Sequence, residues 1–132
     1  MGFLLEIITP KGIYFNEEVE SLTVKLSSGY RTILKGHIPL IGSLAYAPMH
    51  LIRSGKKEEY ALHGGAINIT KDKVSLVCNA IEHRSEIDKD RALAAKERAE
   101  KRLKEKDPNI DLKRAQLALQ RALVRLELTS RD

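Results

Sequence analysis

Tryptophan is absent from this chain, cysteine occurs once, and aromatic residues make up 5% of its 132 positions. The lone Cys78 excludes an internal disulfide and any metal site built from cysteines. Its neighbours Leu76, Val77 and Ala80 predict a buried, structural thiol. No apolar run approaches the roughly 20 residues that cross a bilayer as a helix. Met1 to Ile8 lacks the basic start and small-residue cleavage site of a signal peptide. A cytoplasmic protein is expected, reaching a membrane only through protein partners. Catalytic constellations are missing too: no glycine-rich phosphate loop ending in Lys-Ser or Lys-Thr, no Gly-x-Ser-x-Gly, no His-Glu-x-x-His. His37, His50, His63 and His83 are scattered without metal-ligand spacing, and His37 reads as structural. A binding or regulatory protein is expected rather than an enzyme.

The excess of one charge sign is also small. Net charge is +5, which suits an acidic partner or a phosphate ligand. The first 81 residues carry nine basic and seven acidic side chains. A nucleic-acid-binding sheet needs a basic, aromatic-rich face, so nucleic acid is not an expected partner.

What is present divides in two. Up to about residue 81, apolar residues alternate and glycines punctuate. Phe3–Ile8 reads as a strand stopped by Thr9-Pro10-Lys11-Gly12, and Ile13–Phe15 as a short second one. Val19–Ser27 alternates well, except that Val19 breaks the parity and suggests a bulge. Tyr30–Leu34 follows, then a Gly36-His37-Ile38-Pro39 turn, then Leu40–Tyr46 and Met49–Arg53. Ser54–Lys57 predicts a hairpin turn into Glu58–His63, which Gly64-Gly65 should break; Ala66–Thr70 and Lys73–Cys78 pair through Lys71-Asp72. Many short strands suggest an antiparallel sandwich or barrel, with no interval long enough for a helical crossover.

Beyond residue 81 the strand signals stop, and 25 of the last 51 residues are charged. Asp88 is a good N-cap for a helix reaching about Lys104. Asp107-Pro108 or Asp111 starts a second, reaching about Leu128, with Lys104–Asn109 as the connection. At about 100° per residue, Asp88, Ala92, Ala95 and Ala99 share a face of the first helix, with Leu103 at its edge and Arg91, Arg98 and Arg102 alongside. On the second, Leu112, Ala115, Leu119, Ala122 and Leu126 form the main apolar stripe, and Leu117, Val124 and Leu128 a second line beside Arg114, Arg121 and Arg125. One facing helix cannot bury both lines. The second must meet the β domain or another subunit, or remain exposed. An alanine seam buries little area, so the hairpin should be marginally stable.

Arginines converging from two helices beside a carboxylate suit a nucleotide: guanidiniums take phosphates, and the acid takes ribose hydroxyls or the adenine amine. The same arginines also read as a solvated face with i, i+4 partners such as Glu97 and Lys101, and spacing alone favours that plainer reading. Glu82 and Glu86 with Asp88 and Asp90 could mimic paired carboxylates, but acids at a helix start usually serve its dipole.

Taken together, Ile7-Ile8-Thr9-Pro10-Lys11-Gly12, Gly36-His37-Ile38-Pro39, Gly64-Gly65, Ile87-Asp88-Lys89-Asp90-Arg91-Ala92 and the run Arg114–Leu126 resemble, in order and spacing, the epsilon subunit of bacterial F-type ATP synthase. The likeness covers the whole chain. The most specific part is Ile87-Asp88-x-x-Arg91-Ala92, which fits the family's nucleotide motif. One departure precedes Gly36: the family's second glycine and proline are missing, since Gly29 is followed by Tyr30-Arg31-Thr32-Ile33-Leu34-Lys35.

The resemblance implies an α+β fold: an antiparallel β-sandwich over residues 1–84, then a two-helix antiparallel hairpin over 85–132. It implies a non-catalytic central-stalk subunit that binds the gamma subunit and the membrane rotor ring. Such a subunit is peripheral, on the cytoplasmic face of the bacterial cell membrane, and inhibits ATP hydrolysis when its helices extend toward the catalytic alpha/beta head. In ATP-binding members the folded hairpin holds ATP as a regulatory ligand without hydrolysing it; the resemblance leaves the need for magnesium open. By position, Glu82, Ile87, Asp88 and Ala92 would hold adenosine. Arg91, Arg98, Arg121 and Arg125 would hold phosphates or line their path. The rival reading is a purely structural stalk subunit with no functional nucleotide site.

Overall fold

A computed structural model describes residues 2–105, 108–109 and 111–130. Eight strands come first: β1 (Phe3–Thr9), β2 (Gly12–Val19), β3 (Ser21–Leu26), β4 (Gly29–Ile33), β5 (Leu40–Arg53), β6 (Lys56–Ile69), β7 (Lys73–Cys78) and β8 (Ile81–His83). They are hydrogen-bonded in the order β2-β1-β7-β6-β5-β3-β4, with β8 pairing separately with β6. The sheet folds over a core that includes Leu5, Ile7, Leu22, Leu51, Leu62 and Leu76, all 1% exposed or less. Two helices follow, α1 (Lys89–Lys104) and α2 (Leu112–Thr129).

Several strand expectations change. The sandwich is not wholly antiparallel, because β1 runs parallel to β7 from Leu4–Lys73 to Ile8–Val77. These strands lie at opposite ends of the β half, so the intervening strands make the crossover that a helix makes elsewhere. Val19 does not start the third strand with a bulge. It ends β2 opposite Phe3, and the chain turns at Glu20, whose N–H donates to the Ile52 carbonyl (2.8 Å). Leu40–Tyr46 and Met49–Arg53 are one strand running through Pro48. The missing N–H is tolerated because β3 pairs with β5 only at Leu44 and from His50 onward, leaving Pro48 in the gap.

Gly64-Gly65 does not stop its strand either; β6 runs through it and changes partner there. Tyr60–Leu62 pair with β8, and Gly65–Ile69 pair with β7. Both glycines have positive φ, 74° and 142°. A Cβ on Gly65 would sit 2.2 Å from the Val77 carbonyl oxygen, so only glycine fits the handover.

The helices begin where the caps predict. The Asp88 and Asp111 carboxylates accept from the Arg91 and Arg114 N–H groups, each at 3.1 Å. Asp111, not Asp107, caps α2, while Lys106, Asp107 and Ile110 lie outside the described residues. The seam between the helices buries Ala92, Ala99, Ala115 and Ala122. Leu112, expected in the apolar stripe, is 52% exposed at the connection end of the hairpin. The second apolar line of α2 meets the β domain: Val124 and Leu128 pack on Ala61 of β6, flanked by Tyr46 and Ile87. That cluster fixes α2 on the outer face of β5 and β6.

Candidate functional site

The link from β8 to α1 is tightly built. A 3-10 turn over Arg84–Glu86 is capped by His83, whose Nδ1 accepts from the Ser85 N–H (3.1 Å). The Glu86 carboxylate reaches back to the His83 N–H (3.4 Å). Ile87 then runs extended, anchored against the α2 cluster, and Asp88 opens α1. This sharp path folds the end of β8 and the first three turns of α1 around one concavity, with α2 as its far wall.

The concavity is a cleft of about 330 Å³, within the usual span of small-molecule sites. It is lined by Glu82, Ile87, Asp88, Arg91, Ala92, Arg98 and Arg125, together with Glu86 and Ala95. Seven of the eight residues suggested by the resemblance therefore surround one space. Arg121 does not line it, standing one turn before Arg125, about 6 Å along α2. Another groove, between β5 and α2, is lined by Ala45, Tyr46, Gln120, Leu123, Val124 and Glu127 and presents no arginine.

The cleft's charges are not equivalent. The Glu82 Oε1 accepts from His63 Nε2 (3.0 Å) and also from Arg125 Nε. The hydrogen bond from His63 holds this carboxyl below its ordinary range; burial opposes that, and Arg125 adds to it. The Glu86 carboxylate accepts from the Tyr14 hydroxyl (3.5 Å). Burial first, and Glu86 second, push that phenol upward. Asp88 is committed to its cap. Arg91 and Arg98, exposed on the same side of α1, have no side-chain acceptor among the described residues. The cleft thus has a carboxylate-rich floor at the sandwich and two uncommitted guanidiniums along its rim.

Residues 3–84 match the family model of the beta-sandwich domain of the ATP synthase delta/epsilon chain, and residues 85–130 match that of its long alpha-helix domain. The chain belongs to the ATP synthase delta/epsilon family. Among delta/epsilon relatives, the ATP synthase epsilon chain of Bacillus cytotoxicus is 41% identical over 128 residues, covering 97% of this chain and 96% of the relative. That of Bacillus licheniformis is 40% identical over 124 residues, covering 94% and 95%. The fold also matches a chain of the Euglena gracilis mitochondrial ATP synthase OSCP/F1/c-ring assembly. There the TM-score is 0.85 at 21% identity, over 98% of this chain and 82% of that one. A chain of the Tetrahymena thermophila central stalk/c-ring gives 0.60 at 14% identity, over 98% and 95%. The two delta/epsilon domain models meet inside the 3-10 turn, so the cleft draws Glu82 from the first and the rest of its lining from the second.

Two residues of this delta/epsilon site stand out only in three dimensions. Ala95 lies on the predicted small-residue stripe, but nothing in that stripe separates a seam position from a cleft position. His63 shows no motif at all; its one signal is a polar ring set in an apolar strand just before a double glycine.

Proposed function

We propose that the chain is the epsilon-type subunit of an F-type ATP synthase central stalk, and that the cleft binds one ATP without hydrolysing it. The observation that carries this reading is the pair of uncommitted guanidiniums, Arg91 and Arg98, beside a floor of carboxylates. The arginines suit phosphate oxygens, and Glu82 and Asp88 suit the hydroxyls and amine of adenosine. ATP then touches β8, α1 and α2 together, so it stabilises the folded hairpin over any state in which those walls separate.

In this reading the protein is a regulatory subunit and not itself an enzyme. When ATP is scarce the hairpin opens, and its basic faces meet acidic surface on the alpha/beta head and oppose ATP hydrolysis. The sandwich meets the gamma subunit and the membrane rotor ring. Among the described residues no helix is long and apolar enough to cross a membrane, in keeping with a peripheral place on the cytoplasmic face of the bacterial cell membrane, reached through the complex. The relatives named above, called epsilon chains, and the stalk and ring assemblies that share the fold support this placement.

Calorimetric titration of the purified chain with ATP tests the reading. Saturable heat at one site is expected, with Arg91→Ala and Arg98→Ala each weakening affinity about tenfold or more and high salt weakening it further. Affinity unchanged in both variants would sink it. One feature favours the rival structural role: α2 packs on the sheet through its own apolar residues, Val124 and Leu128 against Ala61. A chain that gives no heat with ATP would leave that role standing.

A further inference from the structure

His63 lies on β6 and is 1% exposed. Its Nε2 lies 3.0 Å from the Glu82 Oε1, while its Nδ1 is buried without a hydrogen-bond partner among the described residues. Its ring tilts against that of Tyr46 at 6.1 Å, and the His63 backbone N–H donates to the Ala80 carbonyl (2.9 Å). A leucine would fill this space without orphaning a nitrogen. A buried polar group left half satisfied calls for an explanation beyond packing.

Glu82 supplies the other half of the observation. Both of its donors, His63 and Arg125, fall on Oε1. Oε2 has no partner among the described residues, although Glu82 lines the cleft. The two donors also differ in kind. Arg125 belongs to α2 and leaves whenever the hairpin leaves. His63 and Glu82 both belong to the sandwich, on β6 and β8, so their hydrogen bond outlasts hairpin opening.

We propose that His63 is a positioning residue for ligand binding: by donating from Nε2 to one carboxylate oxygen of Glu82, it turns the other oxygen into the cleft as a fixed acceptor. This rests on the reading that the cleft holds ATP, whose ribose hydroxyls or adenine amine supply the donor. A glutamate side chain has several rotatable bonds, and freezing it before the ligand arrives lowers the entropy lost on binding. The tautomer is specified: hydrogen on Nε2, a bare lone pair on the partnerless Nδ1.

The test titrates the full chain with ATP in wild type, His63→Leu, His63→Gln, Glu82→Gln and the double variant of His63→Leu with Glu82→Gln. Folding of each is checked by circular dichroism. His63→Leu is expected to weaken ATP binding about tenfold, and His63→Gln, whose amide nitrogen reaches the position of Nε2, to stay within about threefold of wild type. In the Glu82→Gln background the leucine change is expected to add no further loss. Wild-type affinity in His63→Leu would overturn the proposal, as would an undiminished loss in the Glu82→Gln background. Absence of saturable heat in the wild type overturns the ATP reading and this proposal together; binding by the wild type with no effect of His63→Leu overturns this proposal alone. Should His63→Leu fail to fold, ring-nitrogen shifts of His63 in the wild type decide. A proton on Nε2 whose resonance moves on ATP addition supports the role, and a proton on Nδ1 with none on Nε2 overturns it.

Discussion

Glu82 joins three parts of the fold, because its own strand is β8, one donor comes from β6 and the other from α2. The sign of its pH dependence follows. A carboxyl whose folded pKa is lowered contributes stability that is fully present above its ordinary value, about 4.3 for glutamate, and loses it as pH falls through the lowered value. Protection of the α2 amides, relative to their intrinsic exchange rates, should therefore fall as the solution is acidified past the ordinary glutamate range, and Glu82→Gln should flatten that fall. An identical acid profile in the variant would remove Glu82 from the contact. Cys78 reports on a different part of the molecule. Burial pushes its thiol up to about 11, and its Sγ–H points at the Ile8 carbonyl (3.6 Å). At pH 8 a thiol reagent should label Cys78 only as fast as the sandwich unfolds, whether or not the hairpin is open. Faster labelling on hairpin opening would mean that the helices, not the sheet, protect it.

Among the elements, α2 holds the hairpin to the sheet. The four buried alanine methyls of the helix seam amount to only about 3 kcal/mol of apolar burial. Leu128 is fully buried against the sandwich, and Leu128→Ala should cost about 2–5 kcal/mol of docking stability. The expected result is loss of protection in both helices with the thermal transition of the sandwich retained; loss of both together would show that the two parts fold as one. Gly65→Ala acts at the handover within β6, against β7. With φ at 142° and a Cβ driven into the Val77 carbonyl and the Cys78 Cα, it should destabilise the sandwich by more than about 2 kcal/mol, measured by thermal denaturation.

These elements also show what was legible in the sequence. Asp88 and Asp111 announce the helix starts because capping is local chemistry. Gly64-Gly65 and Pro48 look like stops because their tolerance depends on which neighbouring strand is present or missing at that point, and no local pattern carries that. Three residues are too few for β8 to show a period. The contact of His63 with Glu82 spans 19 positions and depends on the handover at the double glycine.

At the scale of the whole molecule, a sandwich with its own core carries a hairpin attached through the apolar cluster around Ala61, the contact of Glu82 with Arg125 and a short linker. A ligand lodged in the joint acts on the hairpin by mass action. If the cleft holds ATP as proposed, an ATP concentration 100 times its Kd stabilises the folded hairpin by about 2.7 kcal/mol. Amide exchange through hairpin opening should then slow about a hundredfold in α1 and α2 and hardly change in β1 to β7. Uniform slowing across the chain would place ATP on the sandwich instead. The division into a β half and a charged helical half is plain from residue order, and so is the concentration of arginine in the second half. That Arg125 reaches the cleft while Arg121 does not is set by how α2 seats on Ala61, a contact made far along the chain, from Ala61 to Val124 and Leu128, by residues chosen for size rather than charge. The same seat has a cost when it empties. Lifting α2 uncovers Ala61, Tyr46 and Ile87 on one side and bares Val124 and Leu128 on the other. Two matching sticky surfaces on one chain are a recipe for trading places between neighbours. Unless a partner arrives to cover them, the freed helix of one copy should settle on the vacant sheet of the next, and opening should show itself in solution as a rise in mass with concentration.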